Sequence, residues 1–156
     1  MVATLPILEE IRQRILEKTT RFEVELFPDE PEEYRLNAED GAILIQYLGS
    51  NFDKTDATNL IQQRRTLDLA ITILARSQHN ELGALNVLDQ VRAAVMGFKP
   101  DQCSACYFVK EEWLGSESGI WQYQLIVRTY THEVQHEEPQ DLTKFVAMTL
   151  RYVKEK

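Results

Sequence analysis

Cysteine is scarce in this sequence: the 156 residues contain only Cys103 and Cys106. Two thiols so close together cannot form the disulfide framework of a small secreted protein. Long apolar runs are also missing, since none approaches the ~20 residues that cross a bilayer. The charged residues between Glu9 and Arg14 interrupt the apolar core that a signal peptide needs. We therefore expect no membrane partner and a chain that stays in the cytoplasm where it is made.

The sequence lacks basic clusters as well. Arg64 and Arg65 form the only adjacent basic pair, and the formal net charge is −8. A protein that binds nucleic acid through phosphates needs clustered Lys and Arg. The acidic balance argues against such binding. It is typical of a soluble surface, and it also suits a surface past which DNA must slide without sticking.

Motifs of common enzyme classes are missing too. The sequence contains no G-x-G-x-x-G, no P-loop and no G-x-S-x-G. Its carboxylate clusters, Asp29–Glu33 and Glu137–Glu138, lie among prolines, where we expect hydrated loops and not the desolvated pair of a catalytic site. His79 is expected in a loop. We predict no cofactor and no catalytic activity.

Hydrophobic periodicity predicts two helices. The first spans Leu5–Lys18, with Thr4 as its cap. The second spans Glu81–Met96, with Asn80 as its cap and a sharp end at Gly97, because glycine adopts the left-handed conformation that stops a helix. Phe98 is expected to fold back onto this helix, and Pro100 prevents its continuation. The predicted buried face of the second helix consists of Leu82, Leu85, Leu88, Val91 and Val95.

Alternating patterns predict the strands. They cover Arg21–Phe27, the apolar Gly41–Gly49 and the long Leu60–Arg76, whose polar start should project beyond the domain. A polar loop containing Phe52 should join the last two. A hairpin follows, with a loop at 115–119. Its expected cross-strand pairs, all facing the helices, are Trp113 with Trp121, Val109 with Leu125, and Tyr107 with Val127.

These elements predict the fold class. It is α+β, with a mostly antiparallel sheet of about five strands and two main helices packed on one face. Residues 1–156 form a single domain in this prediction. The tail, residues 137–156, fits either a helix or a strand; we favour a helix and expect it to serve as an assembly arm.

The segment His132–His136 reads HEVQH and matches the H-E-x-x-H motif of zinc peptidases. That chemistry needs a helix, on which residues i and i+4 lie ~6 Å apart. The preceding residues have strand composition, and on a strand the two imidazoles would be ~13 Å apart. We predict a strand and no metal site, and keep a small zinc metallopeptidase using His132, Glu133 and His136 as the alternative.

Cys103 and Cys106 form a lone C-x-x-C. Together with His132 and His136 they could be ligands of a structural zinc, but the spacing of 25 residues exceeds that of the usual finger. A redox C-x-x-C normally opens a helix after a strand, whereas this one precedes a strand. We expect either small buried thiols or exposed cysteines without a role.

The second half of the chain resembles a known family. The strand LDLAITILAR, the helix GALNVLDQVRAAVMGFKP and the hairpin FVKEEWLGSESGIWQYQLIVRTY are similar to the Mu-like tail-completion family, the tail terminators of contractile-tailed phages and related injection machines. The resemblance covers about Leu67 to Tyr130 and contains no catalytic residue. The His-Glu segment departs from the family pattern.

The resemblance implies a tail-terminator-like subunit of a hexameric ring in the virion. Such a ring caps the tail tube, ends its growth, and contacts the tube protein, the sheath protein and the neck or connector proteins, while DNA only passes through its lumen. The expected interface residues are Phe52, Asp53, Arg64, Arg65 and Glu117. A monomeric binding module that uses a sheet edge remains a further alternative.

Overall fold

The computed structural model describes residues 2–19, 21–55 and 59–136. These ranges contain two α-helices, five β-strands and a 3-10 turn at Pro31–Glu33. The helices are α1 (Thr4–Lys18) and α2 (Ala84–Val95), and the strands are β1 (Glu23–Leu26), β2 (Gly41–Phe52), β3 (Gln62–Ala75), β4 (Tyr107–Glu117) and β5 (Ile120–Val134). Neither helix is long and apolar enough to cross a membrane. The predicted tail, residues 137–156, lies outside the described residues.

The five strands form one sheet in the order β1-β2-β3-β5-β4. The short β1 runs parallel to β2, and every other neighbouring pair is antiparallel. The predicted α+β class with a mostly antiparallel sheet of five strands is therefore confirmed. The apolar β2 and β3 have a neighbour on each side, as expected for strands of nearly continuous hydrophobic sequence.

Both helices pack on one face of the sheet, as predicted. Alternate residues of the three inner strands face them, so that Ile45, Ile71 and Leu125 lie side by side across the sheet and are almost completely buried. On the opposite face, the β1–β2 connection packs near Gly41. The residues of this smaller cluster are Phe27, Tyr34, Leu36, Ala42, Leu44, Leu74 and Ile120.

The start of each helix differs from the prediction. Helix α1 includes Thr4, and its N-cap, Ala3, makes no side-chain capping bond. Helix α2 begins at Ala84, three residues after Glu81, because Asn80 accepts a hydrogen bond from the Leu82 N–H and so closes a separate turn. The buried face of α2 also differs from the predicted one. Leu85, which was predicted to be buried, is exposed, whereas Ala84 and Val87 are buried.

The end of α2 agrees with the prediction. Gly97 has a φ of +80°, and its N–H donates to the carbonyl oxygen of Cys106 at 2.9 Å. Phe98 folds back as expected, with its N–H on the Val95 carbonyl and its ring packed against the core. The return bond from Cys106 to Phe98, at 2.8 Å, places the chain directly before β4. The sharp stop therefore positions the edge strand.

The polar start of β3 does not project beyond the domain, contrary to the prediction. Strand β2 continues past a bulge near Leu48 as far as Phe52, which pairs with Arg65, and β5 pairs with β3 down to Gln62 and Val134. The predicted polar loop is correspondingly shorter. Intramolecular strands on both sides thus use the backbone hydrogen-bonding groups of this segment.

The hairpin register also differs from the prediction. The turn contains only Ser118 and Gly119, both with positive φ, and β4 has two register shifts. As a result Trp113 pairs with Tyr123 and not with Trp121, and the other two predicted pairs are displaced as well. Leu125 and Val127 do face the helices. Tyr107, Val109 and Trp113 remain exposed, although Arg92 of α2 forms an ion pair with Glu111 of β4.

Candidate assembly surface

Arg65 lies at the centre of a buried polar cluster where β2, β3, β5 and the start of α1 meet. Only 6% of the residue is exposed. Its guanidinium makes five hydrogen bonds, which matches its five N–H donors. The acceptors are Ser50 Oγ at 2.9 Å, the Val2 carbonyl at 3.1 Å, Glu133 Oε1 at 3.0 Å, Thr4 Oγ1 at 2.7 Å and Tyr47 OH at 3.3 Å. Arg65 therefore joins the chain start to the sheet.

The charges in this cluster stabilise one another. Burial disfavours the charged guanidinium, but the bonds from Arg65 to Tyr47 and Glu133 outweigh it and raise the Arg65 pKa. Burial also opposes ionisation of Tyr47, yet its bonds with Ser50 and Arg65 lower the pKa of the phenol. The second carboxylate oxygen of Glu133 accepts the Val2 N–H at 3.3 Å. The polar half of β3 thus connects β2, β5 and the start of α1 inside the protein. We call the hydrogen-bonded cluster around Arg65 the internal joint.

Three of the predicted interface residues surround this joint on the protein surface. Phe52 is 55% exposed at the end of β2. The N–H of Asp53 donates to the Arg64 carbonyl at 2.9 Å, and the exposed Arg64 guanidinium stacks 3.5 Å above the Tyr130 ring. Phe52, Asp53 and Arg64 therefore share one end of the sheet. We call this region, with the two grooves beside Phe52, the Phe52 end.

The two grooves of the Phe52 end differ in chemistry. One has a volume of about 550 Å³ and is lined by Val2, Ala3, Thr4, Phe52, Arg65 and Glu133. Its cations and anions are already paired with each other, so it presents mainly apolar atoms. The other has a volume of about 690 Å³ and is lined by Phe52, Asp53, Lys54, Arg64 and His132. That second groove contains two basic side chains, Lys54 and Arg64, and one acidic side chain, Asp53, on a chain of net charge −8.

Glu117 lies at the other end of the sheet. It is the last residue of β4 and pairs with Ile120 across the hairpin turn, next to the point where Ala75 pairs with Trp121. The five residues expected in one interface are therefore split: four lie at the Phe52 end, of which Arg65 is buried, and Glu117 lies at the opposite end.

The outer edge of β4 is a feature that the sequence reasoning missed. This strand of 11 residues pairs only with β5 within the described chain. Large exposed side chains follow one another along it: Tyr107, Val109, Trp113 and Leu114 are 44%, 44%, 57% and 47% exposed. The run of exposed positions at 109–114 was visible as VKEEWL, but its apolar residues were assigned to the helix face. The assignment was wrong because β4 has two register shifts, which the sequence pattern does not reveal.

The HEVQH segment lies where a strand was predicted. His132 to Val134 are part of β5, with His132 pairing across from Arg64 and its ring edge against Tyr130. His136 lies beyond the strand, after Gln135, whose N–H donates to the Ile61 carbonyl. The two imidazoles are therefore not on one helical turn. Among the described residues, no group of three or more His, Cys, Asp or Glu side chains could hold a metal ion.

Cys103 and Cys106 are buried thiols, the first of the two states expected for them. Their exposures are 8% and 2%, and they form no disulfide. Burial raises the pKa of Cys103 to about 11 and that of Cys106 to about 12. Since the thiolate is the reactive form, these cysteines are poor nucleophiles at neutral pH. They act as small apolar groups beneath the start of β4.

The sheet face opposite α1 and α2 carries an ion pair at its centre. Arg128 on β5 donates two hydrogen bonds to Asp68 on β3, at 2.7 and 3.0 Å. These bonds raise the pKa of Arg128 above its ordinary value. The bidentate geometry ties the two central strands together on the face opposite α1 and α2.

Comparisons with known proteins add family and fold to this picture. No curated protein matches the sequence significantly. Among solved structures, the fold is similar to a chain from the virion of a native gene transfer agent particle, with a TM-score of 0.52 and 9% sequence identity over 79% of this chain and 92% of that one. At this identity the likeness concerns the fold alone. The sequence profile of the Gp37 protein family matches residues 11–152, nearly the whole chain. The chain belongs to the Gp37 protein family.

Proposed function

We propose that this protein is a virion structural subunit, a tail terminator that closes the end of a tail tube as a ring of six copies. Two observations support a role in a virion: the match to the Gp37 family, and a fold similar to that of a chain in a gene transfer agent virion. The sequence resemblance to the Mu-like tail-completion family supports the finer role.

The observation that carries the proposal is the β4 edge. Among residues 2–19, 21–55 and 59–136, no strand pairs with its outer row of backbone N–H and C=O groups, and it exposes Val109, Trp113 and Leu114. An exposed apolar edge is an aggregation hazard, which proteins avoid by covering it. In a ring, each copy covers the edge of the next, and closure leaves no free edge. The short edge strand β1, on the opposite side of the sheet, offers the second surface that a head-to-tail ring needs.

The proposed ring has defined neighbours. One side contacts the last tier of the tail tube protein and the end of the sheath, and the other contacts neck or connector proteins. DNA passes through the lumen without specific contacts. A net charge of −8 per copy supports this role, because an acidic wall repels phosphates and lets the genome slide.

Electron microscopy of the purified protein tests the proposal. We expect rings with six-fold symmetry, and light scattering should give about six times the chain mass of 18.1 kDa. Added to isolated tail tubes, the protein should bind at one tube end and stop elongation. A monomeric mass together with no effect on tube growth would contradict the proposal and favour a sheet-edge binding module.

A further inference from the structure

We infer that residues 137–156 of one copy bind in the two grooves of the Phe52 end of the neighbouring copy. The inference rests on the proposed ring and identifies a second contact in it, distinct from the β4 edge. The grooves, the sequence of the segment and the point where it leaves the sheet carry the argument.

The Phe52 end offers an apolar site next to a basic one. Phe52 separates the two grooves and lines both. The apolar groove ends at Val2 and Phe52, and Phe52 remains 55% exposed although its strand position faces the helices. It remains so because α1 begins at Thr4 and does not cover it. Lys54 and Arg64 supply the cations of the other groove. A matching ligand has carboxylates next to large apolar side chains.

The C-terminal segment has that composition in that order. It begins with the acidic stretch EEPQD, residues 137–141, and continues with LTKFVAMTLRYV, residues 142–153. Carboxylates match Lys54 and Arg64, and side chains such as Phe145 match the apolar groove. The Gp37 family profile extends to residue 152, so the segment belongs to the family's sequence pattern. A stretch this rich in apolar residues needs a surface to cover it.

The proposed ring favours a neighbouring copy as the receiver of the segment. Strand β5 ends at Val134, and Gln135 is held against Ile61 by two hydrogen bonds at the end of the sheet. In a closed ring every copy both gives and receives one segment, so every groove is filled.

Disulfide trapping between two full-length variants tests this contact. One carries Phe52→Cys and an affinity tag, and the other carries Phe145→Cys without a tag. After co-assembly and mild oxidation, we expect a tagged–untagged covalent dimer, at about tenfold the yield obtained when Glu117→Cys replaces Phe52→Cys. Glu117 is the matched control because it is exposed and lies at the other end of the sheet. The native thiols are buried in all variants.

Two results would overturn the inference. One is a dimer yield equal to that of the Glu117→Cys control. The other is a full-length Phe52→Cys/Phe145→Cys chain that crosslinks only within itself, which would show that the segment covers its own groove. If either result is obtained while electron microscopy still shows six-fold rings, only this inference is contradicted and the proposed ring stands. Loss of rings in the unmodified protein would instead count against the proposed function.

A charge exchange gives an independent readout. Lys54→Glu/Arg64→Glu should lower the ring fraction, and Glu137→Lys/Glu138→Lys should lower it too, because each places like charges together. Combining all four substitutions should restore the ring fraction. Lack of restoration, with all three variants folded by circular dichroism, would contradict pairing of these two sets of charges.

Discussion

Arg64 and Arg65 are adjacent in the sequence, yet their guanidinium groups lie on opposite faces of strand β3. Arg65 faces the helices and is buried among five hydrogen-bond acceptors, whereas Arg64 is exposed and stacks on Tyr130. The alternation of a strand explains the division. Of the only adjacent basic pair in the sequence, one residue is therefore buried and hydrogen-bonded, and the other is exposed.

Arg65→Ala should lower the free energy of unfolding by about 3–5 kcal/mol, because it removes a buried guanidinium with five hydrogen bonds and leaves the partly buried carboxylate of Glu133 without its cation. Urea denaturation of the purified protein measures this. The matched control is Arg64→Ala, which removes an exposed stacking contact with Tyr130 and should cost about 0.5–1 kcal/mol. Equal losses in the two variants would contradict the assignment of Arg65 as the internal joint.

The buried thiols predict an alkaline loss of stability. In the folded protein the pKa is raised from 9.0 to about 11 for Cys103 and to about 12 for Cys106, so the unfolded chain releases these protons first. Their stabilising contribution is full below pH 9 and is lost as the pH rises towards 11 and 12. Urea denaturation at pH 8 and pH 10.5 should show a fall that Cys103→Ala/Cys106→Ala reduces. Tyr47 titrates in both proteins, so its effect cancels. An identical fall in both would be the contrary result.

Gly97→Ala should destabilise the protein by about 1–2 kcal/mol, the cost of holding a residue with a Cβ in the left-handed conformation. The φ of Gly97 is +80° and no atom lies within 4 Å of the position of an added Cβ, so the effect is conformational and not a clash. Thermal or urea unfolding measures it. Met96→Ala, at an adjacent and exposed position, should change stability by less than about 0.5 kcal/mol.

Trp113→Lys should convert the proposed ring to monomers, because it adds a charge to an exposed edge strand. It should lower monomer stability by about 0.5–1.5 kcal/mol, because it removes the ring contact with Trp121. Light scattering gives the mass and urea denaturation the stability. Leu85→Lys is the control, since Leu85 is also exposed but lies on α2. Intact rings in Trp113→Lys would exclude the β4 edge as an interface.

Metal analysis separates the structural proposal from the peptidase alternative. We expect less than about 0.1 zinc per chain after purification without chelators, because His132 and His136 do not share a helical turn. His132→Ala should leave the melting temperature within about 2 °C of the parent. One zinc per chain, together with peptidase activity lost in Glu133→Gln, would reverse the conclusion.

The sequence predicted the elements better than their register. Alternation and helix periodicity report which way a side chain points, and the positions of β2, β3 and α1 followed from them. The end of α2 could be predicted because glycine has a specific conformational property at Gly97. The start of α2 could not, because Gly83 is required by the close approach of the Gln78 backbone, 2.7 Å from where a Cβ would lie. This close approach is local, but it depends on the conformation of the turn between the two residues, which helix periodicity does not report.

The sequence predicted the positions of only some residues of the candidate surface. Phe52, Asp53 and Arg64 were chosen as exposed and unusual, and the structure brings them together. Arg65 was expected to be exposed but is buried, because its five acceptors come from three segments far apart in the sequence: residues 2–4, residues 47–50 and Glu133. The β4 edge was missed because two register shifts change which residues face the helices. Shifts of this kind depend on twist and on the neighbouring strand.

The central pairing of β3 with β5 joins residues far apart in the sequence, from Ala75 with Trp121 to Gln62 with Val134. During synthesis on the ribosome, β2 and β3 emerge as a hairpin whose second strand stays open along one side until β5 has been made. Contacts of this separation close slowly. The nascent subunit therefore spends that interval with an apolar strand uncovered, and chaperone binding to β3 would protect it there.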